Sequence, residues 1–290
     1  MRQIRALLLA CLVVPAFALS AQTKVSRGIH LDADGAVRIY NLGGSVRVLG
    51  WNRDSVAVRG SLGEGSRLHM GGGREGIKMF VEDVDERNPA PAILEVSVPL
   101  KAKVWVKTAT AGIEVSGVSG SLDLYVVSGA IKVTGDPADV NAEAIDGSIR
   151  IGGSPAWVRA KSASGDVVFD GKSADITLST VSGKIEVRGS RFEKAKFETV
   201  TGNVSFDGSF ERGGLSTFDT HSGTIDLGVS GSADFDVVSI AGPIANKLTS
   251  KRPIAGRYGR GSELETASGD GGTRVVVRSF KGPVFLRPAK

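Results

Sequence analysis

A short phrase that recurs along 104–228 constrains this chain more than any other feature. Each copy has an apolar-alternating run, a small polar residue, a glycine, and a second alternating run. The corner glycines are Gly112, Gly129, Gly147, Gly165, Gly183, Gly202 and Gly223, spaced 17, 18, 18, 18, 19 and 21 apart. A near-fixed period of this size marks stacked supersecondary units. Aligned on the glycine, four columns are almost wholly apolar. Two residues after it stand Ile131, Ile149, Val167, Ile185, Val204 and Ile225, and four after it Val133, Ile151, Phe169, Val187, Phe206 and Leu227. Five before it stand Leu124, Ala142, Ala160, Leu178, Phe197 and Phe218, and seven before it Leu122, Val140, Val158, Ile176 and Ala195. Polar residues such as Asp123, Lys132, Arg150 and Glu186 lie between the columns. Period-two alternation in both arms predicts two strands per repeat, each with one buried face. The 3.6-residue period of a helix is absent, and glycine and β-branched residues are abundant.

Columns that stay in register over consecutive units predict an all-β, single-domain parallel β-solenoid of about 18 residues per rung, like stacking on like at about 4.8 Å. Parallel crossovers favour a right-handed coil. A string of hairpins turning at Ser-Gly or Asp146-Gly147 is the alternative. It needs turn chemistry at the second corner too, where the sequence varies: Asp136-Pro137-Ala138-Asp139, then Lys172-Ser173-Ala174-Asp175. Later copies loosen. Gly242 keeps a corner, Ser268-Gly269 restores the phrase, and 275–286 reads as a last rung. Irregular end units are expected, because an end rung must cap the core and block edge pairing. Upstream, Val37 to Ile39 and Val46 to Val48 read as strands around Asn41-Leu42-Gly43-Gly44. Glycine-rich 61–76 reads as an exposed loop and 82–86 as an acidic one.

The stretch 1–21 reads as a secretory signal peptide: Arg2 and Arg5, an apolar stretch at 6–18, then small residues at Ser20 and Ala21. That apolar run is shorter than the roughly 20 residues of a spanning helix, and no later run is long enough. The division expected is therefore 1–21 signal and 22–290 repeat domain, with regular rungs at 104–228 and irregular caps. Cys11 is the sole cysteine, and the match of Leu8-Leu9-Ala10-Cys11 to a lipoprotein box is faint. Ordinary cleavage leaves no disulfide, thiol nucleophile or thiolate metal site. It also lowers the net charge from +5 to +3, with signs interspersed, which argues against a nucleic-acid partner.

The phrases Gly44-Ser45-Val46-Arg47-Val48-Leu49-Gly50-Trp51, Leu94-Glu95-Val96-Ser97-Val98-Pro99 and Thr180-Val181-Ser182-Gly183-Lys184-Ile185-Glu186-Val187 resemble a bacterial family. It is the putative-adhesin, β-strand-repeat family of exported proteins, and the resemblance spans roughly residues 28–287. It implies a β-helix-like fold outside the cytoplasm and no catalytic residue. The 61–76 segment is longer than the family pattern needs.

Chemistry-bearing residues are sparse. His30, His69 and His221 are far apart in sequence, and His221 fills a column otherwise held by Val127, Ile145, Val181 and Val200. Asp170, Asp207 and Asp226 fall near equivalent repeat positions, as the carboxylates of a polysaccharide-cleaving enzyme would, but Lys132, Arg150 and Arg188 share the outward sites. Ser128, Asp146, Ser164, Ser182, Thr201 and Ser222 form a polar ladder suited to corner hydrogen bonds. No metal-ligand spacing, calcium nonapeptide or cofactor motif appears. The basic stretch 247–260, with Lys247, Lys251, Arg252, Arg257 and Arg260 and no acid, is the candidate contact for an anionic partner. The reading is an exported, periplasmic or surface-associated, non-catalytic adhesin or scaffold that meets an envelope polymer or protein. A polysaccharide-acting enzyme and a filament subunit are its rivals. Specific function is expected where the repeat breaks: 61–76, 82–86 and 247–260.

Overall fold

The computed structural model describes residues 23–256 and 260–289, and every regular element within them is a strand. The signal-peptide reading and Arg257 lie outside the described residues. The amino-terminal part comprises β1 (Thr23–His30), β2 (Ala36–Asn41), β3 (Gly44–Trp51), β4 (Ser55–Leu62), β5 (Arg67–Gly73), β6 (Gly76–Glu82) and β7 (Ala92–Pro99). The regular middle alternates first and second arms: β8 (Lys103–Thr108), β9 (Gly112–Ser116), β10 (Ser121–Val126), β11 (Ile131–Gly135), β12 (Asp139–Ala144), β13 (Ile149–Gly153) and β14 (Trp157–Ser162). Three long strands follow, β15 (Val167–Thr180), β16 (Ile185–Thr199) and β17 (Val204–Thr220). The end comprises β18 (Ile225–Val229), β19 (Ala233–Ser239), β20 (Ile244–Asn246), β21 (Ile254–Ala255), β22 (Ser262–Ser268), β23 (Arg274–Ser279) and β24 (Val284–Pro288).

The four apolar columns all face inward. Ile131, Ile149, Val167, Ile185 and Ile225 have no exposed surface, nor have Leu124, Ala142, Ala160, Leu178, Phe197 and Phe218. Each buried Val, Ile or Leu contributes about 1.5–3 kcal/mol, and one continuous core runs from Leu31 to Leu286. In the middle, first arms pair in parallel with first arms, Val104 with Leu122 and Leu122 with Val140. Second arms likewise pair with second arms, Ile113 with Ile131 and Ile131 with Ile149. The longer spacings near the end have a packing cause. β16 and β17 carry register shifts at Arg188/Ser190 and Phe192/Lys194. The added chain brings Phe192 and Phe210 into the core, where they join Phe169, Phe197, Phe206 and Phe218 with ring centroids 4.8–6.4 Å apart.

The corner glycines are required by close approach. A Cβ on Gly183 would lie 2.0 Å from the Gly165 carbonyl oxygen, and Gly147, Gly165, Gly202 and Gly223 each sit against the preceding corner in the same way. The hydroxyls that bond locally to the corner amides come from three residues before each glycine. Ser162, Thr180, Thr199 and Thr220 are buried and accept from the amides of Gly165, Gly183, Gly202 and Gly223 at 2.9–3.1 Å. The exposed polar ladder one residue before the glycine behaves differently: Ser164, Thr201 and Ser222 donate to carbonyls of the previous copy at 3.3–3.4 Å. The second corner carries its own glycine column. Gly153 there has φ 117°, and a Cβ on it would strike the Gly135 oxygen at 2.0 Å.

Three expectations are corrected. The sheet is mixed rather than wholly parallel. Among the described residues, the five antiparallel pairings (β1–β4, β4–β7, β5–β6, β19–β22, β21–β22) all lie near its two ends, where they cap the stack. Residues 61–76 are not a loop: β4 ends at Leu62, and β5 pairs with β6 from Arg67–Glu82 to Gly73–Gly76. Nor is the 275–286 phrase the outermost. β23 lies between β17 and β19, and β24 between β18 and β20. The corner glycines follow that spatial order, Gly282 stacking on Gly223 and Gly242 on Gly282. The amino end does the same, with β2 between β6 and β8 and β3 between β7 and β9. At each end the chain leaves a slot, builds the cap, then returns to fill or flank it.

Candidate functional site

Because side chains alternate across a strand, the residues between the buried columns form an outward surface in rows running across the strands. On the first-arm flank, register places His69, Phe80, Tyr40, Lys107 and Tyr125 in one row over β5, β6, β2, β8 and β10. The next row holds Lys78, Arg38, Trp105, Asp123 and Asn141. The rings are in contact: His69 stacks on Phe80 at 4.7 Å, and Tyr40 meets Trp105 edge-on at 4.7 Å. The Lys78 ammonium lies 5.1 Å from the Tyr40 ring and 5.6 Å from that of Phe80, and Lys107 lies 5.2 Å from Tyr125. At about 4.8 Å per strand, the first row is about 19 Å long.

A shallow trough of about 540 Å³ adjoins these rings, lined by Arg38, Tyr40, Lys103, Trp105, Ser121, Asp123, Asp139, Asn141 and Trp157. Its floor is polar. Asn141 donates to Asp123 at 3.1 Å, and Ser121 donates to Asp139 at 3.1 Å. Asn141 Oδ1 is shielded and has no hydrogen-bond donor. The cations of this shelf, Arg38, Lys78, Lys103 and Lys107, make no ion pair among the described residues. The opposite flank differs. There Arg47 and Lys132 both bind Glu114, at 3.0 and 3.1 Å, and hydrogen bonds from Lys132 and then Arg47 hold its carboxyl below the usual Glu range.

The sequence-derived candidates fall elsewhere. Lys247, Lys251, Arg252 and Arg260 are all exposed between β20 and β22. Lys251 lines a cleft of mixed charge together with Arg274, Asp234, Asp236 and Glu265. Asp207 and Asp226 do meet, but across Arg287, which binds them at 2.9 and 3.0 Å. Asp170 is in register with Arg188. His69 bonds to Glu82 at 2.6 Å; His30 lies 3.3 Å from Asp32, and His221 stacks on Phe280 at 4.8 Å. Among the described residues no group of three or more His, Cys, Asp or Glu is placed to hold a metal.

The chain is similar in structure to three solved bacterial proteins. One from Clostridium sporogenes, described as a putative cell adhesion protein, is 10% identical with TM-score 0.25, and the match covers 92% of this chain and 100% of that one. One from Parabacteroides distasonis, described as a putative lipid binding protein, is 11% identical with TM-score 0.47, covering 92% and 98%. One from Bacteroides fragilis, described as a putative adhesin, is 10% identical with TM-score 0.37, covering 92% and 98%. No protein-family model and no curated sequence matches the chain.

The shelf escaped sequence reading because its members belong to β2, β6, β8 and β10. β6 and β8 flank β2 from far along the chain, with Phe80 and Lys107 both opposite Tyr40 in register. One signal was available. Aromatic residues make up only 6% of the chain, yet Tyr40, Phe80, Trp105, Tyr125 and Trp157 all occupy outward positions of their strands.

Proposed function

We propose that this protein is an exported, non-catalytic β-solenoid of the adhesin kind, and that it binds an envelope component through the aromatic shelf. The observation that carries the reading is the row His69, Phe80, Tyr40, Lys107 and Tyr125 with Trp105 beside it, on the outward face of the sheet. Tyr and Trp present large, rigid, amphipathic surface at low entropic cost, and they dominate the binding energy of interfaces. Parallel pairing of each copy with the next through the middle, as at Leu122 on Val140 and Val140 on Val158, supports a stiff coil that would hold the shelf in shape. Export is supported by the signal-like sequence of residues 1–21. No helix among the described residues is long and apolar enough to cross a membrane. The non-catalytic reading is supported by the pairing of Asp207 and Asp226 with Arg287. The capped ends of the sheet favour a discrete particle over a filament.

The test is capture of envelope material from the source organism by the purified protein and by its Trp105→Ala variant. The reading predicts capture by the native chain, loss with Trp105→Ala at unchanged melting temperature, and no bond cleavage in the captured material. Equal capture by both proteins, or cleavage, contradicts it.

A further inference from the structure

We infer that the shelf binds an acidic polysaccharide of the uronate type. Its sugar rings would lie on Tyr40, Trp105 and Trp157, and its carboxylates would meet Arg38, Lys78, Lys103 and Lys107. This deepens the shelf reading above and rests on it. Four observations select this occupant.

The first is charge. Some clustered surface cations elsewhere on this protein are neutralised, as at Glu114 with Arg47 and Lys132, or at Glu186 with Lys184. The four shelf cations are exposed, make no ion pair among the described residues, and cluster in register: Arg38 is opposite Lys78 on one side and Trp105 on the other, and Lys107 is opposite Tyr40. Like charges gathered together raise each other's cost; Asp123 and Asp139 offset part of it, and a polyanion relieves the rest. The second is ring chemistry. Half-buried tyrosine and tryptophan offer an apolar face beside a polar handle, and the trough between Tyr40 and Trp157 provides both within one surface. The third is the floor. Asp123 and Asp139, with Asn141 and Ser121, supply acceptors and donors for hydroxyl groups along the trough. The fourth is shape. The trough is shallow and crosses the strands; from Trp105 on β8 to Trp157 on β14 it spans three strand spacings, about 14 Å. An extended chain fits that form better than an enclosed small molecule. The backbones of β2, β6, β8 and β10 are paired on both sides, so a peptide has no free edge to join there.

The experiment is calorimetric titration of the purified protein with oligogalacturonate. Fully methyl-esterified oligogalacturonate, neutral dextran, oligo(dT) and anionic phosphatidylglycerol vesicles serve as comparison probes. Expected are binding of oligogalacturonate that weakens with salt, and a loss of about tenfold or more on methyl esterification. A similar loss is expected in Trp105→Ala and in the double variant Lys78→Gln/Lys107→Gln. Trp105→Phe keeps a ring and separates loss of contact from loss of fold, and Lys251→Gln should bind like the native chain. Failure to bind oligogalacturonate, or undiminished binding by the double variant, overturns the inference, as does tighter binding of oligo(dT) or of vesicles. If Trp105→Ala still abolishes envelope capture in that case, the shelf reading stands and only the ligand class is wrong. If capture is also indifferent to Trp105, both fall.

Discussion

Replacing Gly183 with alanine tests the stacking geometry at a single atom. The added Cβ would sit 2.0 Å from the Gly165 carbonyl oxygen and 2.9 Å from Thr180 Oγ1. Ordinary van der Waals contact begins near 3.4 Å, so the corner must open by more than an ångström. The oxygen belongs to backbone of the neighbouring corner, which has a neighbour of its own at Gly147, so it has nowhere to yield. Overpacking of this kind costs about 1–3 kcal/mol. Opening also stretches the bonds from the amides of Val181 and Ser182 to the Ala163 carbonyl, both now 3.1 Å, at about 0.5–1.5 kcal/mol each. A total of about 2–6 kcal/mol follows, a large share of the roughly 5–15 kcal/mol of a typical domain. Urea unfolding followed by circular dichroism reads the shift in midpoint, and amide exchange reads its location. Protection should fall most around 163–166 and 181–185 and least in β10. Ser182→Ala, one residue away and exposed, should change stability by less than about 0.5 kcal/mol. A Gly183→Ala protein as stable as the native one would refute the account of why glycine marks the repeat.

Other consequences follow from single residues. Phe206→Ala removes a fully buried ring that contacts Phe192, Phe197, Phe210 and Phe218, and should cost about 3–5 kcal/mol in urea unfolding. Ser216 carries a fully buried hydroxyl without a hydrogen-bond partner, so Ser216→Ala should raise stability by about 1 kcal/mol, read as a higher urea midpoint. Burial, and then the Glu198 charge, lift the Asp219 carboxyl above its ordinary value of 3.8, while Lys196 and Arg278 act the other way. The folded state therefore holds that proton more tightly than the unfolded chain, and ionised Asp219 costs stability above its folded pKa. Asp219→Asn should melt higher than the native protein at pH 7, with the gap closing as pH falls through the raised pKa towards 3.8.

What could be read from sequence was whatever repeats locally. The columns through Ile131 and Leu124 and the corner at Gly183 were visible because one residue type recurs at one spacing, and all are buried or stacked as that spacing implies. The ends were not legible. β23 is held by β17 and β19 at once, with Arg274 opposite both Leu215 and Asp234, and neither separation is a multiple of the repeat. Gly71, Gly72 and Gly73 suggested a loop because glycine has no side chain to show alternation, yet the β5 backbone pairs with β6 at each of these positions. The glycine column at the second corner was hidden by aligning on the first. The shelf was illegible for the same reason as the ends, since Phe80, Tyr40 and Trp105 become neighbours only through the insertion of β2 between β6 and β8.

The most direct test of the central claim is a lysine-labelling footprint of the protein with and without bound envelope material, read by mass spectrometry. Lys78, Lys103 and Lys107 are exposed on the shelf, and Lys247 and Lys251 are exposed at the far end. If the shelf is the contact face, the first three lose reactivity on binding and the last two keep theirs. Protection of Lys247 and Lys251 with Lys78, Lys103 and Lys107 still reactive would contradict it.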